Sequence, residues 1–166
     1  MSESKRVRRV VTGHDEHGDA IFTADDVYGL DMTPTKDAAM TTIWTTDTYP
    51  VDNNDETDGR DRESGLTLNG GSVIRICDIY PLQVSPMHRT NSIDYGIVLE
   101  GKIELELDNG IKKTVSAGEV IVQRGTMHLW RNPSKTQTCR LAFILIEAKP
   151  YSHNGMPLRQ DKPEDP

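Results

Sequence analysis

The chain has 166 residues, which is long enough for one domain with its own hydrophobic core. Its composition is 35% hydrophobic and 27% charged, and the formal net charge is −7. An acidic chain lacks the positive field that phosphate groups require, so we expect no nucleic-acid partner. No apolar run could span a bilayer, and no apolar region follows the charged N-terminus. We therefore expect a cytoplasmic protein with no membrane partner.

The N-terminal part of the chain predicts a hairpin or an exchanged strand. We expect residues 1–6 to be flexible. Val7–Val11 and Ala20–Phe22 are strand-like and flank a polar turn that contains Gly18. The first of these strands lies outside the motifs described below. We expect it to pair with a second copy or to pack on it, which predicts a homodimer.

Three segments before residue 66 lack a clear strand pattern. Asp25–Leu30 and Lys36–Met40 are expected to form short helical turns. Val51–Ser64 is crowded with acidic side chains and has almost no apolar residue. Because so polar a segment buries little surface, we expect it to be mobile or to act as a lid, and we expect proteases to cut there first.

Alternating hydrophobicity predicts strands through most of the remaining chain. Ile103, Leu105 and Leu107 alternate with charged residues, which is typical of a strand with one buried face. Asn109-Gly110 then predicts a tight hairpin turn. Strands are also expected at Val73–Ile79, Ile111–Val115, Glu119–Gln123 and Cys139–Glu147. Short strands at this spacing indicate an all-β sandwich or barrel.

The domain boundaries follow from these strands. One domain is expected over residues 7–150, with its core in residues 73–147 and a polar tail at 151–166. Cys77 and Cys139 lie in apolar strands, so we interpret them as buried small hydrophobic residues in a reducing compartment.

The first of two polar segments with candidate site residues is Ser85–Gly101. His88, Thr90 and Asp94 share strand parity there, so they face the same way in an extended chain. Tyr95 has the opposite parity and is expected at the surface.

The second segment is Gly118–Asn132, in which His128 and Trp130 share parity. If both segments line one barrel, His88, Asp94 and His128 can converge. Two imidazoles and one carboxylate are the donors of a facial-triad metal site, which leaves positions open for substrate.

These segments resemble the two motifs of the cupin superfamily. His88 and Gly101 match the first motif, in which Thr90 replaces a second histidine and Asp94 replaces a glutamate. Gln123 replaces the proline of the second motif. The second motif is otherwise matched by Gly118, Gly125, His128 and Asn132. The resemblance implies a double-stranded β-helix, a jelly-roll barrel whose interior holds a pocket for a small-molecule substrate.

The first motif is similar to that of stand-alone cupins of secondary metabolism. This resemblance implies a tailoring enzyme, with a lyase such as a decarboxylase or dehydratase, acting on an aromatic or polyketide-type acid, as the leading hypothesis. His88 and His128 can move protons, and Asp94 can hold the second nitrogen of an imidazole. The alternatives are a metal-dependent dioxygenase and a non-catalytic metabolite-binding cupin.

The resemblance also implies one divalent metal ion (zinc, iron or manganese), with His88, Asp94 and His128 as ligands. Thr90 is a poor ligand for these ions, and Asp94 is shorter than the usual glutamate. The alternative is that both histidines are hydrogen-bonded pocket residues without a metal.

Four side chains are candidates for substrate binding. Arg75 lies among apolar neighbours, where a guanidinium can anchor a carboxylate by two hydrogen bonds; the alternative is exposure at the end of the barrel. Trp44 and Trp130 can form an aromatic wall for a planar substrate, or they can pack in the core. Thr90 is a further polar candidate beside them.

Overall fold

A computed structural model describes residues 6–160 of the chain. The expectations for residues 1–5 and 161–166 lie outside this range. No helix occurs within residues 6–160, so none there is long and apolar enough to cross a membrane. The strands are β1 (Val7–His14), β2 (Ala20–Tyr28), β3 (Asp31–Met32), β4 (Ala38–Thr46), β5 (Ser72–Ile79), β6 (Ser92–Glu100), β7 (Lys102–Leu107), β8 (Lys112–Ser116), β9 (Val120–Arg124), β10 (His128–Arg131), β11 (Cys139–Glu147), β12 (Ser152–His153) and β13 (Met156–Pro157).

Two antiparallel sheets make up the body of the fold. The larger has the order β3-β4-β5-β11-β6-β9, and the smaller has the order β10-β7-β8. Strands β1 and β2 form a separate hairpin, and so do β12 and β13. The prediction of an all-β protein is confirmed. The predicted tail begins with the ordered β12–β13 hairpin, and the domain end at residue 150 stays a prediction.

The two sheets share one apolar core. It includes Cys77 and Leu141 from the larger sheet, and Ile103 and Trp130 from the smaller. Cys77 pairs directly with Leu141, and paired residues of neighbouring strands point to the same face. The odd-numbered residues of β5 therefore face the interior, while Asp78 points outward.

The hairpin predicted at the N-terminus is present, because β1 pairs with β2 in the same chain. The helical turns predicted at Asp25–Leu30 and Lys36–Met40 are wrong. The first overlaps β2, whose Asp25 accepts two hydrogen bonds of 2.7 Å from Arg8 across the hairpin. The second overlaps β4, whose Met40 pairs with β5. In both places partners distant in sequence hold the chain extended, which a local pattern cannot indicate.

The acidic segment Val51–Ser64 is packed in part. Gly59 is buried, and its Cα lies so close to the ring of Trp44 that a Cβ would meet ring atoms at 2.6 Å. Asp58 forms an ion pair of 2.6 Å with Arg9, which is only 4% exposed. The polarity of the acidic segment therefore does not prevent its residues 58 and 59 from packing against the rest of the protein. Mobility of the exposed remainder stays a prediction.

The homodimer also stays a prediction. Within the described residues the backbone of the β1–β2 hairpin pairs with no other strand, and the Arg9 side chain ties it to the Ile43 carbonyl of β4 and to Asp58. Val10, Ile21 and Phe22 are exposed on the hairpin, Phe22 by 74%. We expect light scattering at micromolar concentration to give the mass of a dimer, and a monomeric mass would contradict this.

Candidate active site in the barrel interior

A row of four rings lies along the interior. The ring centroids are 4.3 Å apart for His88 and His128, 5.3 Å for His128 and Trp130, and 5.2 Å for Trp130 and Phe143. Strand β10 places His128 and Trp130 on one face, since they are two residues apart. The backbones of His88 and His128 exchange hydrogen bonds of 2.9 and 3.0 Å. The structure therefore brings the two predicted histidines together.

One ring nitrogen of His128 is held by the protein. Its Nδ1 lies 2.8 Å from the carbonyl oxygen of Thr126 and 2.9 Å from the amide nitrogen of Gln123. The orientation of that amide is fixed, because its oxygen accepts from the backbone N–H and the hydroxyl of Thr126. In the tautomer whose Nδ1–H donates to the Thr126 carbonyl, which the Gln123 amide also contacts, Nε2 keeps its lone pair and is the nitrogen left for a ligand.

His128 is held in its neutral form. Its side chain is 1% exposed. Burial, together with the neighbouring His88, lowers the pKa of His128 to about 4, against an opposing effect of the Thr126 carbonyl. The imidazole is therefore uncharged at physiological pH and can accept a proton.

Asp94 lies at the end of a chain of hydroxyl groups. Ser92 bonds to Asp94 at 2.5 Å and to Thr90 at 2.9 Å, and all three residues are at most 5% exposed. Burial raises the pKa of Asp94, and this effect exceeds the opposing ones of Ser92, His88 and Thr90. The parity argument for these residues agrees with the structure. Asp94 is held by Ser92, however, and the imidazole of His128 is held by Gln123 and Thr126 rather than by Asp94.

Arg75 faces the same interior. It pairs directly with Phe143 of β11, and its Nη1 lies 3.7 Å from the sulfur of Met40. Its Nη2 donates to the carbonyl oxygens of Gly65 and Leu66. The side chain is 8% exposed, which does not agree with exposure at a barrel end. Burial lowers the pKa of Arg75, and no carboxylate among residues 6–160 forms an ion pair with it.

The metal ligands implied by the resemblance do not assemble in the described residues. No group of three histidine, cysteine, aspartate or glutamate residues there is arranged to hold a metal ion. His88 and His128 are neighbours, but the carboxylate of Asp94 is bonded to Ser92. Thr90 offers a buried hydroxyl where the motif has a histidine. These residues do not fit the implied site, so we derive no step through a metal.

The two tryptophans occupy different parts of the protein. Trp130 is 7% exposed and belongs to the interior row. Trp44 pairs with Ile74 of β5, and even-numbered residues of β5 face outward. A bulge between Thr42 and Trp44 reverses the alternation in β4 and turns the indole away from the interior. The structure therefore does not bring Trp44 and Trp130 into one aromatic wall, and Trp130 packs in the core, the other alternative for it.

Sequence reasoning missed two interior residues. It treated Gln123 only as a replacement for the motif proline, although Gln123 is 3% exposed and contacts His128. Its shared parity with Ile121 on β9 could have indicated the interior face. Phe143 shares parity with Leu141 on β11 in the same way.

Comparison with known proteins identifies the family. The cupin domain model matches residues 75–145. Phomopsin biosynthesis cluster protein C′ of Diaporthe leptostromiformis is 41% identical over 161 residues, which covers 92% of this chain and 85% of that protein. Cupin-domain-containing oxidoreductase fogC of Aspergillus ruber is 36% identical over 156 residues, or 90% of this chain and 77% of that protein.

A solved structure agrees with the fold. The Cupin 2 conserved barrel domain protein from Salinispora arenicola aligns with a TM-score of 0.50 and 17% identity, over 72% of this chain and 82% of that chain. At this identity the likeness bears on the fold alone. Together with the sequence relatives and the two motifs, it shows that the chain belongs to the cupin superfamily, as a stand-alone cupin with an all-β barrel.

Proposed function

We propose that the chain is a tailoring enzyme of secondary metabolism that acts as a lyase, a decarboxylase or dehydratase, on an aromatic or polyketide-type acid. The observation that carries this proposal is the pair of buried titratable groups, His128 and Asp94. Environments that move two pKa values in different directions are typical of acid–base sites. The name of the Diaporthe relative, a biosynthesis cluster protein, supports the metabolic setting.

The two groups suit complementary roles. The neutral imidazole of His128 can take a proton from a carbon next to a carbonyl group, through Nε2. Asp94, with its raised pKa, can supply a proton to a departing hydroxyl in a dehydration, or to the carbanion left by loss of carbon dioxide. Neither reaction needs an oxidant.

A second candidate function is oxidation, because the Aspergillus ruber relative is named an oxidoreductase. This reaction needs an electron acceptor such as dioxygen. The described residues contain no three-donor group for iron, which makes a metal-dependent dioxygenase the weaker proposal.

The test is turnover of aromatic and polyketide-type β-hydroxy and β-keto acids by purified protein, followed by mass spectrometry. We expect products that have lost water or carbon dioxide, at equal rates in air and under anaerobic conditions, before and after treatment with a chelator. Oxygen-dependent products would overturn the lyase proposal in favour of an oxidoreductase. Binding without turnover across the series would overturn it in favour of a metabolite-binding protein.

A further inference from the structure

We propose that Arg75 binds the carboxylate of an acidic ligand, and that the ligand displaces one of the two carbonyl groups, of Gly65 and Leu66, that its guanidinium holds. In this way an acidic ligand releases Gly65 or Leu66, which lie in the segment between β4 and β5, from Arg75 in the interior. The inference rests on the proposed function for its substrate class, but its test does not require turnover.

The first argument is charge. Arg75 is a buried guanidinium whose hydrogen-bond partners are two carbonyl oxygens and a thioether. The other deeply buried arginine, Arg9, lies between the carboxylates of Asp26 and Asp58. An unpaired buried cation is costly, and a bound anion would remove much of that cost. Arg75 therefore has the charge and the burial of an anion-binding residue.

The second argument is the geometry of its hydrogen bonds. The Nε–H of Arg75 is buried and has no partner in the described residues. A carboxylate bonds most strongly to a guanidinium through two parallel N–H groups, and one such pair is Nε with Nη2. Nη2 already donates to Gly65 and Leu66. Nη2 has two N–H groups and one of them faces Nε, so two-point binding through this edge requires the carbonyl oxygen on that N–H to leave.

The third argument is access. His128 is 1% exposed and Trp130 is 7% exposed, so a substrate reaches them only after part of the protein moves. Gly65 is itself exposed and lies in a stretch without regular structure. Three residues before Gly65, Arg62 donates a hydrogen bond of 3.0 Å to the carbonyl oxygen of Thr45. The segment therefore stays attached at Arg62 while Gly65 and Leu66 move.

The experiment uses benzoate as the probe and benzamide as a neutral control of the same shape. Binding is measured by protein NMR titration, and opening by the rate of chymotrypsin cleavage at Leu66 and Leu68. We expect the wild type to bind benzoate about tenfold more tightly than benzamide, the ratio expected for one charge-assisted contact. Saturating benzoate, but not benzamide, should accelerate cleavage at these two leucines.

Variants separate anion binding from the tether. Arg75→Gln should bind benzoate and benzamide equally, and Arg75→Lys should keep part of the preference. Arg62→Gln is the matched control, since it loosens the segment and leaves the Arg75 guanidinium in place. It should keep the full preference and show faster cleavage without any ligand. If Arg75→Gln does not fold, the proposal is still tested by Arg75→Lys and by the ratio of benzoate to benzamide affinity in the wild type.

Equal binding of the two probes by the wild type would overturn the proposal, and so would a benzoate preference that survives Arg75→Gln. Cleavage that benzoate leaves unchanged would overturn the displacement step. A benzoate preference without turnover of any acid would overturn the proposed function and leave this inference standing. Turnover that is unchanged by substitution of Arg75 would overturn this inference and leave the proposed function standing.

Discussion

Replacement of His128 by glutamine is expected to lower turnover by about a hundredfold to ten-thousandfold while the protein stays folded. Glutamine has a similar volume and keeps a hydrogen-bonding amide near Gln123 and Thr126, but it cannot take up a proton at this position. The neutral imidazole has its Nδ1 fixed by those two residues, so its loss removes a positioned base. Steady-state kinetics on the acids that the wild type converts provide the measurement, with circular dichroism to check folding.

His88→Gln is the paired control. His88 is half-buried, and its Nδ1 lies 2.9 Å from the carbonyl oxygen of Pro86. A much smaller loss in His88→Gln would single out His128 as the proton-transfer residue. Equal, large losses with a loss of bound metal in both variants would identify a ligand pair instead. A fully active His128→Gln would contradict the assignment and direct attention to Asp94.

Most strands were predictable because their signal is local. Ile103, Leu105 and Leu107 alternate with charged residues, and Ile103 is completely buried in the core. Gly110 has the positive φ of 79° that a tight turn after β7 requires. Where one face of a strand is buried, the alternation of hydrophobic and charged residues indicates that face directly.

Other features depended on partners far away in the sequence. β2 is extended because it pairs with β1, although Asp25 and Asp26 within it favour turns in isolation. Trp44 faces outward because of one bulge in β4, and a bulge leaves no signature in hydrophobic alternation. Sequence can therefore indicate a strand without indicating which way its residues point.

In the candidate site, too, the features with a local signal were predictable and those that depend on distant segments were not. Parity correctly grouped Thr90, Ser92 and Asp94, because they belong to one extended segment. The contact between Gln123 and His128 could not be anticipated, since it depends on how the chain turns at Gly125. A metal triad needs three side chains from separate segments to match within a fraction of an ångström, and strand parity says nothing about such distances.

Acidification is expected to destabilise the protein well before its ion-paired carboxylates titrate. The pKa of His128 is about 4 in the folded protein against 6.5 for a free imidazole. The unfolded chain therefore binds more protons between these two values, and stability falls as the pH drops through this window. At about 1.4 kcal/mol for each pH unit, the full loss is roughly 3 kcal/mol. Asp58, whose pKa is lowered mainly by its hydrogen bond with Arg9, titrates below the window.

The pKa of Asp94 is shifted in the opposite direction to that of His128, so Asp94 provides an internal control. Its folded pKa is raised by burial, so the folded state holds this proton longer than the unfolded chain does, and acidification favours folding at this residue. Urea unfolding of wild type, His128→Gln and Asp94→Asn between pH 7 and pH 4.5 tests both effects. We expect the wild type to lose stability over this range, His128→Gln to lose much less, and Asp94→Asn to lose more. If wild type and His128→Gln lose equal stability, the imidazole is not held neutral by burial, and the role of His128 as a neutral base fails with it.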